Sequence, residues 1–568
     1  MSKYISEKSI ALFFACVAQF TLKAQPLNHK KDFTHQDTLR GSIGAGRDWW
    51  NVVKYHINTL PDYTKKTIQG NVEIEFDIVK PGANKKMQID LQQPLEIDSI
   101  LFFGKKIQTY VRDGNAFFID FGSFDFQIAA DDTKVEKGKQ AGFSLYIYYH
   151  GKPREAVMPP WDGGWIFTKD AKGRPWMTVA CQGLGASVWY PCKDHQSDEP
   201  DAGATLTITV ADSLTGVSNG RLKNKTNNHN GTTSWEWEVK CPINNYTIVP
   251  YIGKYVNFTD TLLGEKGKLD ISYWVLDYNL EKAKKQFGRD VKRMLHAFEY
   301  WFGPYPFYED SYKLVESPHL GMEHQSAIAY GNKYLDGYLN SDLSGTGWGL
   351  KWDYIIVHES GHEWFGNNIT TKDIADMWVH EGFTMYSEAL FIEYYYAKKA
   401  ADEYVAGLRK NISNDTPLIG LYGINREGSG DMYNKGANLI HTIRQIINND
   451  SIFREILRGL NKHFYHTTTT TKEVEAYISK HSGKDFSKIF DQYLRTTQIP
   501  ELIIIGNKNN ITYKWANCIK DFEMPVKLNN GQWIYPSENT KNLKLSSGNF
   551  ESILPDNNFY IKFQKSKS

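Results

Sequence analysis

The chain has 568 residues, of which 41% are hydrophobic, 23% charged and 14% aromatic, and its formal net charge is +1. This length exceeds what one ordinary hydrophobic core supports, so we expect several packed domains, and the composition excludes a disordered or fibrous protein. No stretch concentrates lysine and arginine as nucleic acid or an anionic membrane surface would require, so neither is an expected partner.

The first residues are typical of a secretory signal peptide. Lys3 and Lys8 precede an apolar run over residues 10–22 that is too short to span a bilayer. We predict cleavage after Ala24, so that residues 1–24 are a signal peptide. The mature chain would have no membrane span and would be periplasmic, extracellular or associated with the cell envelope. The alternatives are a buried N-terminal segment of a cytoplasmic protein, or lipid attachment at Cys16.

Residues 25–260 are predicted to form an antiparallel β domain. Hydrophobic and polar residues alternate over short segments such as 72–78 and 205–210, and Gly, Asn and Asp lie between the segments. Alternation with a period of two is typical of strands that bury one face.

Four cysteines would remain after removal of the signal peptide: Cys181, Cys192, Cys241 and Cys518. Their spacing does not match a paired metal site. Disulfides in an oxidising compartment and buried free thiols are both open interpretations.

Residues 261–498 are predicted to form a mostly helical domain, because apolar residues recur at helical intervals. The predicted helices cover residues 280–302, 352–365, 381–400, 435–447, 452–464, 472–481 and 486–494. Strand patterns return at 502–505 and 511–515, so residues 499–568 are predicted to form a small β module. The predicted fold class is therefore multidomain α+β, with helices between two β regions.

Residues 358–362 (HESGH) lie within the predicted helix 352–365. Side chains four positions apart share a helix face, so His358 and His362 can bind one ion while Glu359 lies close to its open position. Glu381, at the start of the next predicted helix, is a suitable third ligand. Two imidazoles and one carboxylate leave zinc an open position for water. We therefore predict one Zn²⁺ per chain, with Glu359 as general base; two exposed histidines on an ordinary helix are the alternative.

These motifs resemble those of the aminopeptidase N family of zinc peptidases (peptidase family M1, gluzincin type). Besides the zinc motif, which extends over 358–367 and 378–388, four segments resemble family landmarks in the same order. They are residues 189–194 (WYPCKD), 218–220 (SNG), 251–253 (YIG) and 433–436 (YNKG). The likeness covers roughly residues 50–520. It implies a thermolysin-like catalytic domain that hydrolyses the N-terminal peptide bond of peptides with a free N-terminus.

The resemblance also implies roles for individual residues. The Tyr433 hydroxyl would stabilise the negative charge that develops on the substrate carbonyl. Residues 321–325 (GMEHQ) resemble the family's Gly-Ala-Met-Glu-Asn motif, so the Glu323 carboxylate would bind the substrate α-ammonium. Gly321 and Met322 would lie beside the substrate through their backbone, and Gln182 would be a second contact to the amine.

Two positions depart from that motif, because Leu320 replaces its first glycine and His324 replaces its asparagine. Because of these two changes, the motif does not predict the path of the backbone around residues 320–324. Asp376 and Glu388 are candidate hydrogen-bond partners of the ligating histidines. Glu388 lies two turns after Glu381 on the same predicted helix face.

Three functional interpretations remain. The leading one is a zinc aminopeptidase. The second is a zinc endopeptidase or epoxide hydrolase on the same scaffold, and the third is a catalytically silent binding homologue. Many relatives continue into a large helical domain that covers the active site, so we expect a more open cleft here. Side-chain preference and oligomeric state stay open.

Overall fold

The computed structural model describes residues 32–80, 86–122, 124, 126, 142–547 and 549–567. The predicted signal peptide, residues 1–24, lies outside this part of the chain. Among the described residues, no helix has both the length and the apolar composition needed to cross a bilayer.

The N-terminal half is a β domain with one short helix, α1 (His35–Gly41), before it. Its strands are β1 (Trp50–Asp62), β2 (Thr67–Ile78), β3 (Lys86–Asp90), β4 (Glu96–Phe102), β5 (Lys105–Ile107), β6 (Tyr110–Asp113), β7 (Ala116–Asp120), β8 (Phe143–Gly151), β9 (Gly164–Lys169), β10 (Pro175–Ala180), β11 (Ala204–Ala211), β12 (Thr215–Val217), β13 (Arg221–Asn227), β14 (Thr232–Val239) and β15 (Tyr251–Gly253). They form an eight-stranded sheet ordered β13-β14-β11-β1-β2-β8-β4-β5, a four-stranded sheet ordered β12-β15-β10-β9 and a three-stranded sheet ordered β3-β7-β6.

The alternating pattern in the sequence corresponds to one buried face of the large sheet. In β2, Val72, Ile74 and Phe76 are fully buried while the residues between them are partly exposed. The sheet is antiparallel except where β1 lies parallel to β11, with Tyr55 beside Ala204. The predicted fold class is confirmed, and this parallel pair is the feature that the sequence pattern did not indicate.

The second half of the chain contains strands β16 (Tyr255–Gly264), β17 (Gly267–Leu276), β18 (Tyr312–Glu316), β19 (Gly321–Met322), β20 (Ile328–Tyr330), β21 (Ile369–Thr371) and β22 (Thr467–Thr469). The first five form one sheet in the order β16-β17-β18-β20-β19. The boundary predicted at residue 260 lies inside β16. Strand β19, at the edge of this sheet, places residues 321 and 322 beside the helices that follow.

The helices of this half are α2 (Leu280–Phe302), α3 (Tyr354–Gly361), α4 (Trp378–Tyr395), α5 (Lys398–Leu408), α6 (Asn434–Ile447), α7 (Asp450–His463), α8 (Thr471–Ser482) and α9 (Ser487–Arg495). The predicted helix 280–302 is confirmed, and Gly303 ends it with a φ of 94°. The helix predicted over 352–365 is shorter and ends at Gly361. The prediction of one helix over 381–400 is wrong, because Ala397 is extended between α4 and α5.

The C-terminal module contains β23 (Glu501–Asn507), β24 (Asn510–Ala516), β25 (Val526–Lys527), β26 (Trp533–Ile534), β27 (Lys541–Lys544) and β28 (Lys562–Lys567). Its main sheet has the order β27-β24-β23-β28. Buried residues of this module and of the helices α2 to α9 belong to one hydrophobic cluster. The Tyr493 hydroxyl on α9 donates to the Tyr560 carbonyl at 2.5 Å, which links the two regions directly.

Helices α4 and α6 approach each other at two glycines. An ideal Cβ on Gly436 would lie 2.9 Å from the Cα of Gly382, so the two backbones are in contact. Gly382 follows Glu381, and Gly436 lies close to Tyr433. This contact explains the glycine of the YNKG segment and sets the distance between two predicted site residues.

Replacing Gly436 by alanine is therefore expected to destabilise the fold by about 1–3 kcal/mol, because the added methyl group overpacks a backbone contact. Urea unfolding followed by circular dichroism measures the change. Gly288→Ala is the matched control, since Gly288 is exposed on α2 and its Cβ would meet nothing within 4 Å. Equal stability of the two variants would contradict the account of this helix contact.

Candidate active site

The structure brings His358, His362 and Glu381 together. His358 lies on α3, His362 follows the last residue of that helix with helical φ and ψ of −65° and −20°, and Glu381 is in the first turn of α4. The Glu381 Oε2 atom is 3.3 Å from His362 Nε2 and 3.7 Å from His358 Nε2. All three side chains are at most 5% exposed. They form a compact buried set of nitrogen and oxygen donors.

The Nδ1 atom of each of the two histidines donates to a fixed acceptor, and this hydrogen bond determines the tautomer of the ring. His358 Nδ1 lies 2.7 Å from Glu388 Oε1, and His362 Nδ1 lies 3.0 Å from the Phe365 carbonyl. A carboxylate and a carbonyl only accept, so each Nδ1 carries the proton and each Nε2 offers a lone pair. Both lone pairs are then free to bind the same ion.

Glu388 is itself held in place. The Tyr404 hydroxyl donates to its second oxygen at 2.5 Å, and the carboxylate is fully buried. A carboxylate behind a ligating histidine orients the ring and makes it a stronger donor. Asp376, the other predicted partner, instead accepts from the Thr471 hydroxyl at 2.6 Å and the Tyr422 hydroxyl at 2.7 Å. It fixes the start of α4 against α8 and binds neither histidine.

This donor set fits a zinc ion. Zinc at a catalytic site prefers imidazole and carboxylate ligands, three from the protein, with a fourth position open. The Glu381 Oε2 atom is buried and has no hydrogen-bond donor among the described residues, so a cation would satisfy it. The ligand atoms of all three side chains lie within 4.8 Å of one another. His358, His362 and Glu381 are the residues that would hold the metal.

Glu359 lies beside this set and contacts a glycine. An ideal Cβ on Gly321 would lie only 2.5 Å from Glu359 Oε1, so a larger residue in β19 would displace the carboxylate. One carboxylate oxygen of Glu359, one of Glu323 and one ring nitrogen of His362 also lie within 4.8 Å of one another. Burial raises the pKa of Glu359 to about 7, and a bound dication would lower it.

Tyr433 lies immediately before α6 and contacts His358. The two rings are stacked, with centroids 6.0 Å apart and an interplanar angle of 23°. Burial, together with the carboxylates of Glu381 and Glu427, raises the Tyr433 pKa well above its ordinary value. The hydroxyl therefore stays protonated and is able to donate a hydrogen bond.

Glu323 is 2% exposed and accepts two hydrogen bonds on the same oxygen. Gln182 Nε2 donates to Glu323 Oε1 at 2.7 Å and the Tyr246 hydroxyl donates at 2.9 Å. The same Gln182 nitrogen is 3.5 Å from Glu381 Oε1, so one amide links Glu323 to a predicted zinc ligand. Asn367 Nδ2 donates to the Glu323 carbonyl at 2.9 Å and fixes the backbone of this segment.

The site combines these residues in one cleft that also includes Met322. All nine predicted site residues line this cleft: Gln182, Gly321, Met322, Glu323, His358, Glu359, His362, Glu381 and Tyr433. Their chemical roles stay predictions. His324 lies outside it and is fully buried, with its Nδ1 atom 2.5 Å from the Tyr251 hydroxyl.

Sequence reasoning missed two residues of this region. Tyr246 is one of 34 tyrosines and gave no local signal. Glu427 lies in an irregular loop before Tyr433, and no residue spacing links it to the metal motif. The N-terminal segment packs against the same loop, since a Cβ on Gly41 would lie 1.9 Å from the backbone nitrogen of Asn425.

Two histidines and a glutamate on adjoining helices, with a second glutamate beside them, are the donor set of a metallohydrolase of the zincin class. Comparison with known proteins agrees with this class. The model of the peptidase M1 N-terminal domain matches residues 52–247, and the model of the peptidase family M1 domain matches residues 286–493. The two matches together cover more than two thirds of the chain. The chain belongs to peptidase family M1.

Individual relatives are more distant. The chain is 20% identical to aminopeptidase N of Lactococcus lactis over 547 residues, which is 88% of this chain and 58% of that protein. It is 22% identical to leucine aminopeptidase 2 of Saccharomyces cerevisiae over 361 residues, 60% of this chain and 46% of that protein. The chain thus spans about half the length of these relatives.

The fold is shared with a solved structure. An M1 zinc metallopeptidase from Deinococcus radiodurans superposes with a TM-score of 0.64 at 19% identity. The match covers 80% of this chain and 96% of that one. At this identity the likeness concerns the arrangement of the elements.

Proposed function

We propose that the protein is a zinc aminopeptidase that hydrolyses the first peptide bond of substrates with a free N-terminus. One observation carries the proposal. A buried carboxylate, Glu323, lies next to the predicted zinc ligands and is linked to Glu381 through Gln182. A substrate ammonium bound by Glu323 would place the first carbonyl, two bonds away, beside the metal.

Each residue then has a distinct task. His358, His362 and Glu381 would hold zinc, which when bound polarises the carbonyl and lowers the pKa of water. Glu359 would accept the proton of the attacking water and pass it to the departing amine. The Tyr433 hydroxyl would donate a hydrogen bond to the oxygen on which negative charge develops. Gln182 and Tyr246 would hold the Glu323 carboxylate in the orientation that receives the ammonium.

The exopeptidase assignment is tested with one peptide in two forms, with a free and with an acetylated N-terminus. A charge-assisted hydrogen bond to Glu323 contributes about 1.5–3 kcal/mol, so acetylation is expected to lower kcat/KM by about 10- to 150-fold. Mass spectrometry of the products measures both rates and shows which bond is cut.

Glu323→Gln should remove most of this discrimination, and Glu455→Gln, an exposed charge-matched substitution on α7, should leave it intact. Equal cleavage of both peptides would favour the endopeptidase alternative. Absence of cleavage by a chain that binds zinc would favour the epoxide hydrolase or the silent homologue.

We also propose that the chain is exported. The support is the charge of Lys3 and Lys8 ahead of the apolar run at residues 10–22. The cysteines that the structure describes, three of them buried, are all free thiols. N-terminal sequencing of the protein purified from its native cells should give Gln25 as the first residue. An intact Met1 in the cytoplasmic fraction would contradict export.

A further inference from the structure

The cleft carries more negative charge than the proposed reaction uses. Four glutamates line it: Glu323, Glu359, Glu381 and Glu427. Neither lysine nor arginine is among the described lining residues. The proposed reaction uses three of these carboxylates, for the ammonium, the proton transfer and the metal. Glu427 is the fourth and has no role in it.

Glu427 has no hydrogen bond from a described residue and is partly exposed to the cleft. Burial raises the pKa of Glu427 to about 7, the carboxylates of Glu381 and Glu323 raise it as well, and Arg40, which does not line the cleft, lowers it. The Arg40 guanidinium lies 3.4 Å from Asp194, which already balances it. A cation bound in the cleft would therefore lower the pKa of Glu427 and stabilise its charged form.

The cleft that Glu427 lines also has apolar walls. Met432, Leu320, Tyr338 and Ile355 line the same cleft. An aliphatic chain several carbons long packs well against such a surface while its charged end reaches a carboxylate. A side chain of this kind combines a methylene stem with an ammonium or guanidinium group.

We propose that Glu427 binds the cationic side chain of the substrate's first residue, so that the enzyme prefers peptides that begin with arginine or lysine. The proposal rests on the proposed aminopeptidase function. The α-ammonium balances Glu323, and the side-chain cation balances Glu427. A neutral first residue would leave this carboxylate without a partner in a cleft of like charges, which is the origin of the discrimination.

The test compares coumarin amides of arginine and of citrulline, which has nearly the same shape but no charge. Wild type is expected to show a kcat/KM about 10- to 100-fold higher for the arginyl compound, the range of one charge-assisted contact. In Glu427→Gln the ratio should fall to near one, and in Glu427→Asp part of the preference should remain. Glu455→Gln should keep the wild-type ratio.

A ratio near one in wild type, or an unchanged preference in Glu427→Gln, would overturn this inference while leaving the aminopeptidase function intact. An equal loss of both activities in Glu427→Gln with the ratio preserved would also overturn it, because that result assigns Glu427 to the α-ammonium. If wild type cleaved neither of these two amides nor a norleucyl amide, both proposals would be overturned together.

Discussion

Replacing Glu359 by glutamine is expected to lower kcat by about 10²- to 10⁴-fold, the range contributed by a positioned general base. Glutamine has nearly the same size and keeps the contact with Gly321, but it cannot accept the proton. His358, His362 and Glu381 are unchanged, so zinc should stay bound. Turnover of a leucyl coumarin amide, measured together with the zinc content, gives both quantities.

The zinc measurement separates a lost base from a lost metal. Glu359→Gln with one zinc ion per chain and low kcat supports the assigned role. Glu455→Gln is the control for a lost negative charge elsewhere, and it should match wild type. Near-normal kcat in a zinc-loaded Glu359→Gln variant would show that another group takes the proton.

Replacing Glu381 by alanine is expected to have the second large effect, namely loss of the metal. Two imidazoles alone give an incomplete ligand set, and a zinc site with three protein ligands depends on each of them. After gel filtration the variant should retain almost no zinc, and its activity should fall to background. Atomic emission of the purified protein measures the zinc, and circular dichroism checks the fold.

Added zinc provides the control for this prediction. Wild type stripped by a chelator should regain its activity when zinc is returned, whereas Glu381→Ala should not. Glu455→Ala should behave as wild type in both steps. A Glu381→Ala variant that holds one zinc ion per chain would require a different third ligand.

Much of the fold could be predicted because it depends on local periodicity. The stripe of apolar residues defined α2, and alternation defined β2, since each pattern reflects one buried face. The helical repeat also placed Glu388 on the side of α4 that carries Glu381. The structure brings it within 2.7 Å of His358.

The parts of the fold and of the site that the sequence did not predict depend mostly on contacts between distant segments. Tyr246 reaches Glu323 from a different domain, and Glu427 enters the cleft from a loop without periodicity. The break between α4 and α5 was also invisible, because apolar residues continue at helical spacing across Ala397. The end of α3 at Gly361 was missed because Trp364 and Phe365 are buried in a turn, which resembles a buried helix face in the sequence.

The central claim is that His358, His362 and Glu381 bind one zinc ion. Diffraction from zinc-loaded crystals at energies on both sides of the zinc absorption edge tests it most directly. The account predicts one anomalous peak, about 2.0–2.2 Å from His358 Nε2, His362 Nε2 and a Glu381 oxygen. A peak at another place in the chain, with these three side chains free of metal, would contradict it.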